Sequence, residues 1–481
     1  MNLSLQGSSL LSFLERTKGI AGSLRQIDRD EEVLVVTHLD ADGLSAGSIM
    51  LQALLGMGLP AMLRVVKQLD PASVSEVSAA PQRNIVFTDL GSGQKPLLRG
   101  ISGKRLFLVD HHQPEGDGEG LFELNPHPFG IDGAKEISAA GTAYLLATAI
   151  DPANSRLANL AIVGALGDLQ DKGERGTFVG INAKIAEEAE KAGTLTVRKG
   201  LRLYGFESRP LVKCMEYALD PYLPGLSGDE GACYKLIKDL GIDPRKADGS
   251  WKSVADLSKE ELKCVINGLI KYLISHGLSS REAESVVGAV YVFGAEASDS
   301  PLRDAREFAS SINACGRLGR YGLGISICLG DRGAALAELK EVLAVYKRTI
   351  SGYLNWLQSN PKAVRVLPHV QALLAGEAID DKMIGTVISI AMSNPPFRME
   401  KPILGFANSE GVSKISGRGT PDLVRRGLNL GKILREAAEK HGGTGGGHDI
   451  AAGAQVPLGS EEAFLSSVDE LVQKTVTGVL L

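Results

Sequence analysis

The stretch EEVLVVTHLDADG (31–43) runs from an acidic cap through four apolar residues into His38, Asp40 and Asp42. An apolar run this short, made mostly of Val and Leu, predicts a buried strand. The residues after it carry the chemistry. Two further runs, NIVFTD (84–89) and KRLFLVD (104–110), have the same form and each ends on an aspartate. LRVV (63–66) is another short apolar run. Leu44–Leu55 and SAAGTAYLLATAI (138–150) read as helices of small apolar residues, as does 155–166. Strands alternating with helices predict an α/β fold with a doubly wound, largely parallel sheet. Ligands bind at the carboxyl ends of strands in such sheets, which is where these acidic residues lie.

Four segments therefore supply hard metal ligands: THLDADG (37–43), FTDLGSG (87–93), LVDHHQP (108–114) and GALGDLQD (164–171). Their candidates are His38, Asp40 and Asp42; Asp89; Asp110, His111 and His112; and Asp168 and Asp171. A single aspartate after a strand is ordinarily a cap or turn residue. Four such segments together are different, because converging carboxylates and imidazoles repel unless a cation lies between them. A nitrogen and oxygen set without thiolate suits manganese or magnesium better than zinc.

Outward from these segments the chain is of ordinary globular character. It has 481 residues, 44% apolar and 23% charged, with a net charge of −5, so bulk positive charge cannot drive nucleic-acid binding. Five scattered cysteines without a C-x-x-C pair argue against a disulfide framework or zinc ribbon and fit a reducing interior. The N-terminal apolar stretch is broken by Glu15, Arg16 and Lys18, which makes a poor signal peptide. No apolar run approaches a membrane span, so a cytoplasmic location is expected.

The expected division is 1–196 for the domain that carries the four segments and 197–300 for a helical insert. A further segment with a long connecting helix follows over 301–358, and a smaller α/β domain over 359–481. The insert contains a capping box, Ser258 to Glu261. It holds no His/Asp cluster and is expected to bind a partner or shape the substrate entrance.

In order and spacing the four segments resemble the DHH phosphoesterases, named for the run that is Asp110-His111-His112 here. INACGRLGR (312–320) resembles the asparagine–glycine–arginine motif of RecJ-type exonucleases. KISGRGT (414–420) and GGTGGGHDIAAGA (442–454) resemble the DHH-associated substrate domain. The middle insert resembles that of the archaeal GINS-associated nucleases. The resemblance implies two divalent ions, manganese or magnesium. His38, Asp40 and Asp89 would hold one, and Asp42, Asp89, His111 and Asp168 the other, with Asp89 bridging. His112 would face the scissile phosphate and Asp110 would orient the histidines, while Asp171 reads as a cap. Arg317 would grip a substrate phosphate, with Asn313 and Arg320 as secondary candidates. Ser416 and Arg418 share a strand face with Lys414 and would hold the next phosphate. Gly446, Gly447 and His448 belong to a glycine-rich loop that would offer backbone donors. Six Lys/Arg against Asp422 alone over 411–435 make this region locally basic.

The implied activity is release of mononucleotides from an end of single-stranded DNA, or RNA, in replication or repair, with a GINS-type replication complex as partner of the insert and no membrane involvement. The alternatives are a small-substrate phosphodiesterase or oligoribonuclease, and a replication-fork scaffold protein with residual nuclease activity.

Overall fold

The computed structural model describes residues 3–476 except 204, 207, 208, 219–222, 393–395 and 410, and omits the side chains of 3–8, 281 and 282. Two compact units form, Met1–Lys340 and Glu341–Leu481, and the boundary falls within the long helix Ala334–Ser359.

The first unit is built on five parallel strands: β1 (Val33–His38), β2 (Ala61–Val66), β3 (Asn84–Thr88), β4 (Arg105–Val109) and β5 (Phe122–Leu124), in the order β2-β1-β3-β4-β5. β1, β3 and β4 are buried almost throughout, which explains why they read as continuous apolar runs rather than alternating ones. The chain goes from β1 to β2 on one side and then crosses to β3 on the other. The β1/β3 gap is thus the topological switch point, where the two connections diverge and leave a crevice. Register sharpens this: Thr37 pairs with Thr88, and Thr88 with Val109. The next residues in each strand, His38, Asp89 and Asp110, therefore emerge along one sheet edge. Helices Ala41–Gly56, Ala139–Ile150 and Ala158–Gly167 are rich in Ala and Gly, which lets them approach each other closely behind that edge.

The insert is mainly helical, as expected, with Leu211–Glu216, Glu230–Asp239, Lys259–Ser275 and Ser280–Glu284, and it adds a strand pair. β6 (Thr196–Leu201) and β7 (Val287–Val292) pair antiparallel at its root. VGAVYV carries three valines and a tyrosine, side chains that a strand accommodates better than a helix. Around this pair a separate apolar cluster forms from Leu211, Met215, Leu226, Ile237, Leu269 and Leu273. The capping box is present, with Ser258 Oγ accepting from Glu261 N at 3.1 Å and starting helix Lys259–Ser275.

The second unit holds a six-stranded mixed sheet, β12-β13-β11-β10-β9-β8. Its strands are β8 (Val364–Val366), β9 (Gln371–Gly376), β10 (Ile403–Ser409), β11 (Val412–Arg418), β12 (Thr444–Gly447) and β13 (Ala451–Pro457). Phe406, Leu434, Phe464 and Val468 fill one face and Leu373, Ile384 and Ile388 the other. Among the described residues no helix is long and apolar enough to cross a membrane.

Candidate metal centre

Each strand end delivers its side chains through a distinct local device. After β1, Asp40 caps helix Ala41–Gly56, its Oδ1 accepting from Gly43 N at 3.0 Å. Asp42 sits in the first turn of that helix and is buried. Its carboxylate accepts from Ala139 N at 2.8 Å and Ala140 N at 2.9 Å, at the positive end of helix Ala139–Ile150. Gly164 faces it closely, since a Cβ there would lie 2.3 Å from Asp42 Oδ1. After β3, Asp89 adopts φ +61°, a left-handed conformation that Asp tolerates better than most residues. That backbone turns its carboxylate into the crevice. Asp89 Oδ1 is buried and accepts no hydrogen bond among the described residues.

After β4, Asp110 is fully buried and accepts from Ser92 N at 2.9 Å, His111 N at 2.7 Å and His112 Nδ1 at 2.8 Å. It therefore fixes the double-histidine run and is spent on doing so. His111 Nδ1 donates to Gly133 O at 2.6 Å, so Nε2 is the nitrogen turned to the carboxylates.

The contacts fall into two groups. His38 Nδ1 lies 2.9 Å from Asp40 Oδ2 and 3.5 Å from Asp89 Oδ2. His111 Nε2 lies 3.3 Å from Asp89 Oδ1, 3.3 Å from Asp168 Oδ2 and 3.7 Å from Asp42 Oδ2. Within each of the sets His38/Asp40/Asp89 and Asp42/His111/Asp168, donor atoms converge within 4.8 Å. Asp89 thus turns one oxygen to each set. His112, at the mouth, is 36% exposed.

The charge balance fits a cation. Burial pushes the Asp42 carboxyl up, and the facing Asp89 and Asp168 charges push it further. Burial drives both His38 and His111 down, yet the surrounding carboxylates overcome it and hold both imidazoles well above their ordinary range. These anions attract whatever positive charge is at hand. The donors are nitrogen and oxygen without sulfur, a set that fits a hard divalent ion.

Arg317 ends helix Ala305–Arg317 beside this centre. Burial raises the Asp40 carboxyl, but His38, the Gly43 amide and Arg317 together hold it below the usual carboxylate range. Asn313 Oδ1 accepts from Ala41 N at 2.9 Å, so it holds the first ligand loop instead of facing out as a phosphate contact. Gly316 packs so tightly on that loop that a Cβ would lie 1.9 Å from Leu39 O. Arg320 pairs with exposed Glu338. Asp171 is not a helix cap; it is buried against Arg202 and Arg306.

Sequence reasoning passed over Gln170. It is buried, donates to the same Gly133 O at 2.8 Å, and accepts from Asn182 Nδ2 at 2.7 Å. Its signal was its place between Asp168 and Asp171.

In the second unit, Lys414, Ser416 and Arg418 do share one face of β11, alternating with buried neighbours. Arg418 Nε donates to Ser389 Oγ at 3.1 Å. Gly446 and Gly447 lie in the edge strand β12 and not in a loop. Helix Leu430–Lys440 packs tightly on this strand, since a Cβ on Gly431 would lie 2.2 Å from Gly447 O and one on Gly445 would lie 2.8 Å from Leu434 O. His448 follows directly, its N–H donating to Ala451 O at 2.8 Å.

A doubly wound sheet with a carboxylate–histidine centre at its switch point, followed by a mixed-sheet unit, defines the class of protein. Residues 203–287 match the DHH-CID domain and 369–474 the DHHA1 domain. An uncharacterized protein of Methanocaldococcus jannaschii is 31% identical over 448 residues, covering 92% of this chain and 93% of that one. CDC45 of Entamoeba histolytica shares the fold at TM-score 0.63 and 12% identity, covering 96% and 99% of the two chains. RecJ of Thermus thermophilus, solved with Mn2+, does so at TM-score 0.57 and 19% identity. That match covers 95% of this chain and 55% of RecJ, so the chain spans little more than half of that relative's length. The chain belongs to the DHH family.

Proposed function

We propose that this protein hydrolyses phosphodiester bonds of single-stranded nucleic acid from an end, releasing mononucleotides. The observation that carries the reading is Asp89, whose two oxygens face two separate ligand sets. His38, Asp40 and Asp89 would hold one divalent ion, and Asp42, Asp89, His111 and Asp168 the other. Manganese or magnesium suits both sets. Bound there, the ions supply Lewis acidity and an activated water. The protein's own groups do the rest. Asp110 holds His112 where its imidazole would meet the scissile phosphate and offset developing charge. Arg317 would grip a non-bridging phosphate oxygen, and Ser416, Arg418, Gly446, Gly447 and His448 would hold the strand in the second unit.

The domain boundaries stated from sequence are retained as a proposal, with the insert as the seat of a GINS-type replication partner. A role in replication or repair follows from the same reading. That every ligand position carries a competent side chain favours an enzyme over a pure scaffold. The test is digestion of end-labelled single-stranded DNA and RNA with manganese or magnesium, with products resolved by length. Mononucleotides appearing from the first time point support the proposal. Cleavage confined to dinucleotides would make it a small-substrate phosphodiesterase, and no cleavage with either metal would leave a scaffold.

A further inference from the structure

Buried charge in the first unit extends beyond the ligand centre. Three residues after Asp168, the Asp171 side chain is only 3% exposed and carries two guanidinium partners. Arg202 Nη2 lies 2.9 Å away and comes from the insert, just after β6; Arg306 comes from the first turn of helix Ala305–Arg317. Next to Arg306, Glu307 is equally buried and accepts from Arg209 Nε at 2.9 Å and Nη2 at 2.6 Å. Arg209 is also an insert residue. Glycines make room for both arginine stems. A Cβ on Gly176 would lie 2.4 Å from Arg202 Cζ, and one on Gly205 would lie 2.6 Å from Arg209 Cδ.

Buried ion pairs of this kind are seldom better for stability than an apolar filling of the same volume. Their use here lies in what they connect. Asp171 closes the loop that starts at Asp168. In that loop Leu169 is held at φ +55°, and Gln170 shares Gly133 O with His111 Nδ1. Glu307 sits at the other end of the helix that brings Asn313 to Ala41 N, Gly316 to Leu39 O and Arg317 beside Asp40. Ten residues of α-helix make a strut of about 15 Å.

We propose that Arg202 and Arg209 are positioning residues through which the insert sets the geometry of the metal centre. One arm runs through Asp171 to the Asp168/His111 set, and the other runs through Glu307 and its helix to the His38/Asp40 set. This rests on the function proposed above.

The test uses the full chain and its Arg202→Met, Arg202→Lys and Arg209→Met variants, with Asp89→Asn as reference. Mn2+ binding is read from the electron paramagnetic resonance of the free ion, apart from activity. Folding is read from circular dichroism in EDTA. Arg202→Met and Arg209→Met should each weaken Mn2+ binding about 10- to 100-fold, the usual effect of losing a group that orients a ligand. Arg202→Lys should recover part of the loss, because the charge returns without the fork. On a dinucleotide substrate kcat should fall more than KM rises. If Arg202→Met does not fold, Arg202→Gln keeps a hydrogen-bond donor for Asp171, leaves the Arg306 pair in place and is read in the same assay. Folded variants that bind Mn2+ within twofold of the parent would overturn the proposal while Asp89→Asn still loses the ion. A parent chain that binds no Mn2+ would overturn the proposed function and this inference together.

Discussion

Replacing Asp89 by Asn isolates the charge of the bridging carboxylate. Asn tolerates the left-handed backbone found at φ +61°, so the change should not strain the turn. Without metal two effects oppose each other. Removing the Asp89 charge relieves the repulsion that helps push the Asp42 carboxyl up, and it takes away a carboxylate that holds the His38 and His111 imidazoles above their ordinary range, so stability in EDTA should change little. With metal parent and variant diverge. An ion at 100 times its dissociation constant stabilises the fold by about 2.7 kcal/mol. Unfolding entropy near 2.1 cal/mol/K per residue, over the unit Met1–Lys340, is about 0.7 kcal/mol/K. Each ion should therefore raise Tm by about 4 °C, and two by about 8 °C. Asp89→Asn should lose most of this rise and all measurable hydrolysis, while its Tm in EDTA stays close to the parent's. The assay is differential scanning calorimetry in EDTA and in saturating MnCl2, with hydrolysis measured on the same samples. A variant that keeps the full manganese-induced rise would refute the bridging role.

Arg317→Ala should raise KM on any phosphodiester by roughly 10- to 150-fold, the worth of a charge-assisted contact of about 1.5–3 kcal/mol, as steady-state kinetics would show. Arg418→Ala should weaken binding of a long oligonucleotide but spare a dinucleotide-sized substrate, and the deficit should shrink at high salt, since the parent loses its own phosphate contacts there; paired kinetics at two salt concentrations check this. Burial pushes the Cys315 and Cys328 thiols up to about 12. Both should resist a thiol reagent at pH 8 while half-buried Cys264 reacts first. Because the unfolded thiols ionise near about 8.5, their contribution to stability is complete below that pH and is lost as pH rises toward 12, which alkaline urea titrations would show.

The candidate ligands stand out in the sequence because they obey a local rule: a short apolar run ends and a charged residue follows. Parallel strands in register turn that local rule into a shared sheet edge, so His38, Asp89 and Asp110 needed no long-range information. Gln170, Asn182 and Asn313 obey no such rule. Each is a polar residue inside or beside a helix, and only tertiary packing decides whether it meets solvent or a buried backbone group. Asp171 read as a cap because its partners, Arg202 and Arg306, lie 31 and 135 positions away. The strand pair β6 and β7 escaped for a related reason, since a run such as VGAVYV fits a buried helix or a strand until its partner is known. In GGTGGGH the absence of side chains marks close approach, and the structure shows it is a helix that approaches β12.

The centre is electrostatically lopsided, and that asymmetry joins the local devices to the proposed chemistry. Asp110 is satisfied internally by two amides of its own run, Ser92 N and the His112 ring. Asp40 has His38, the Gly43 amide and Arg317, enough to overcome burial. Asp42 has two amides at a helix N-terminus, yet it is still driven up because Asp89 and Asp168 face it. The shortage of positive charge is therefore concentrated where Asp42, Asp89 and Asp168 surround His111 Nε2. A carboxylate at the foot of a strand could have been neutralised there by one more arginine, as Asp171 is. The fold places its arginines three residues further on instead, and leaves ligand atoms of Asp42, His111 and Asp168 within 4.8 Å of one another, an arrangement that the proposed divalent ion would complete.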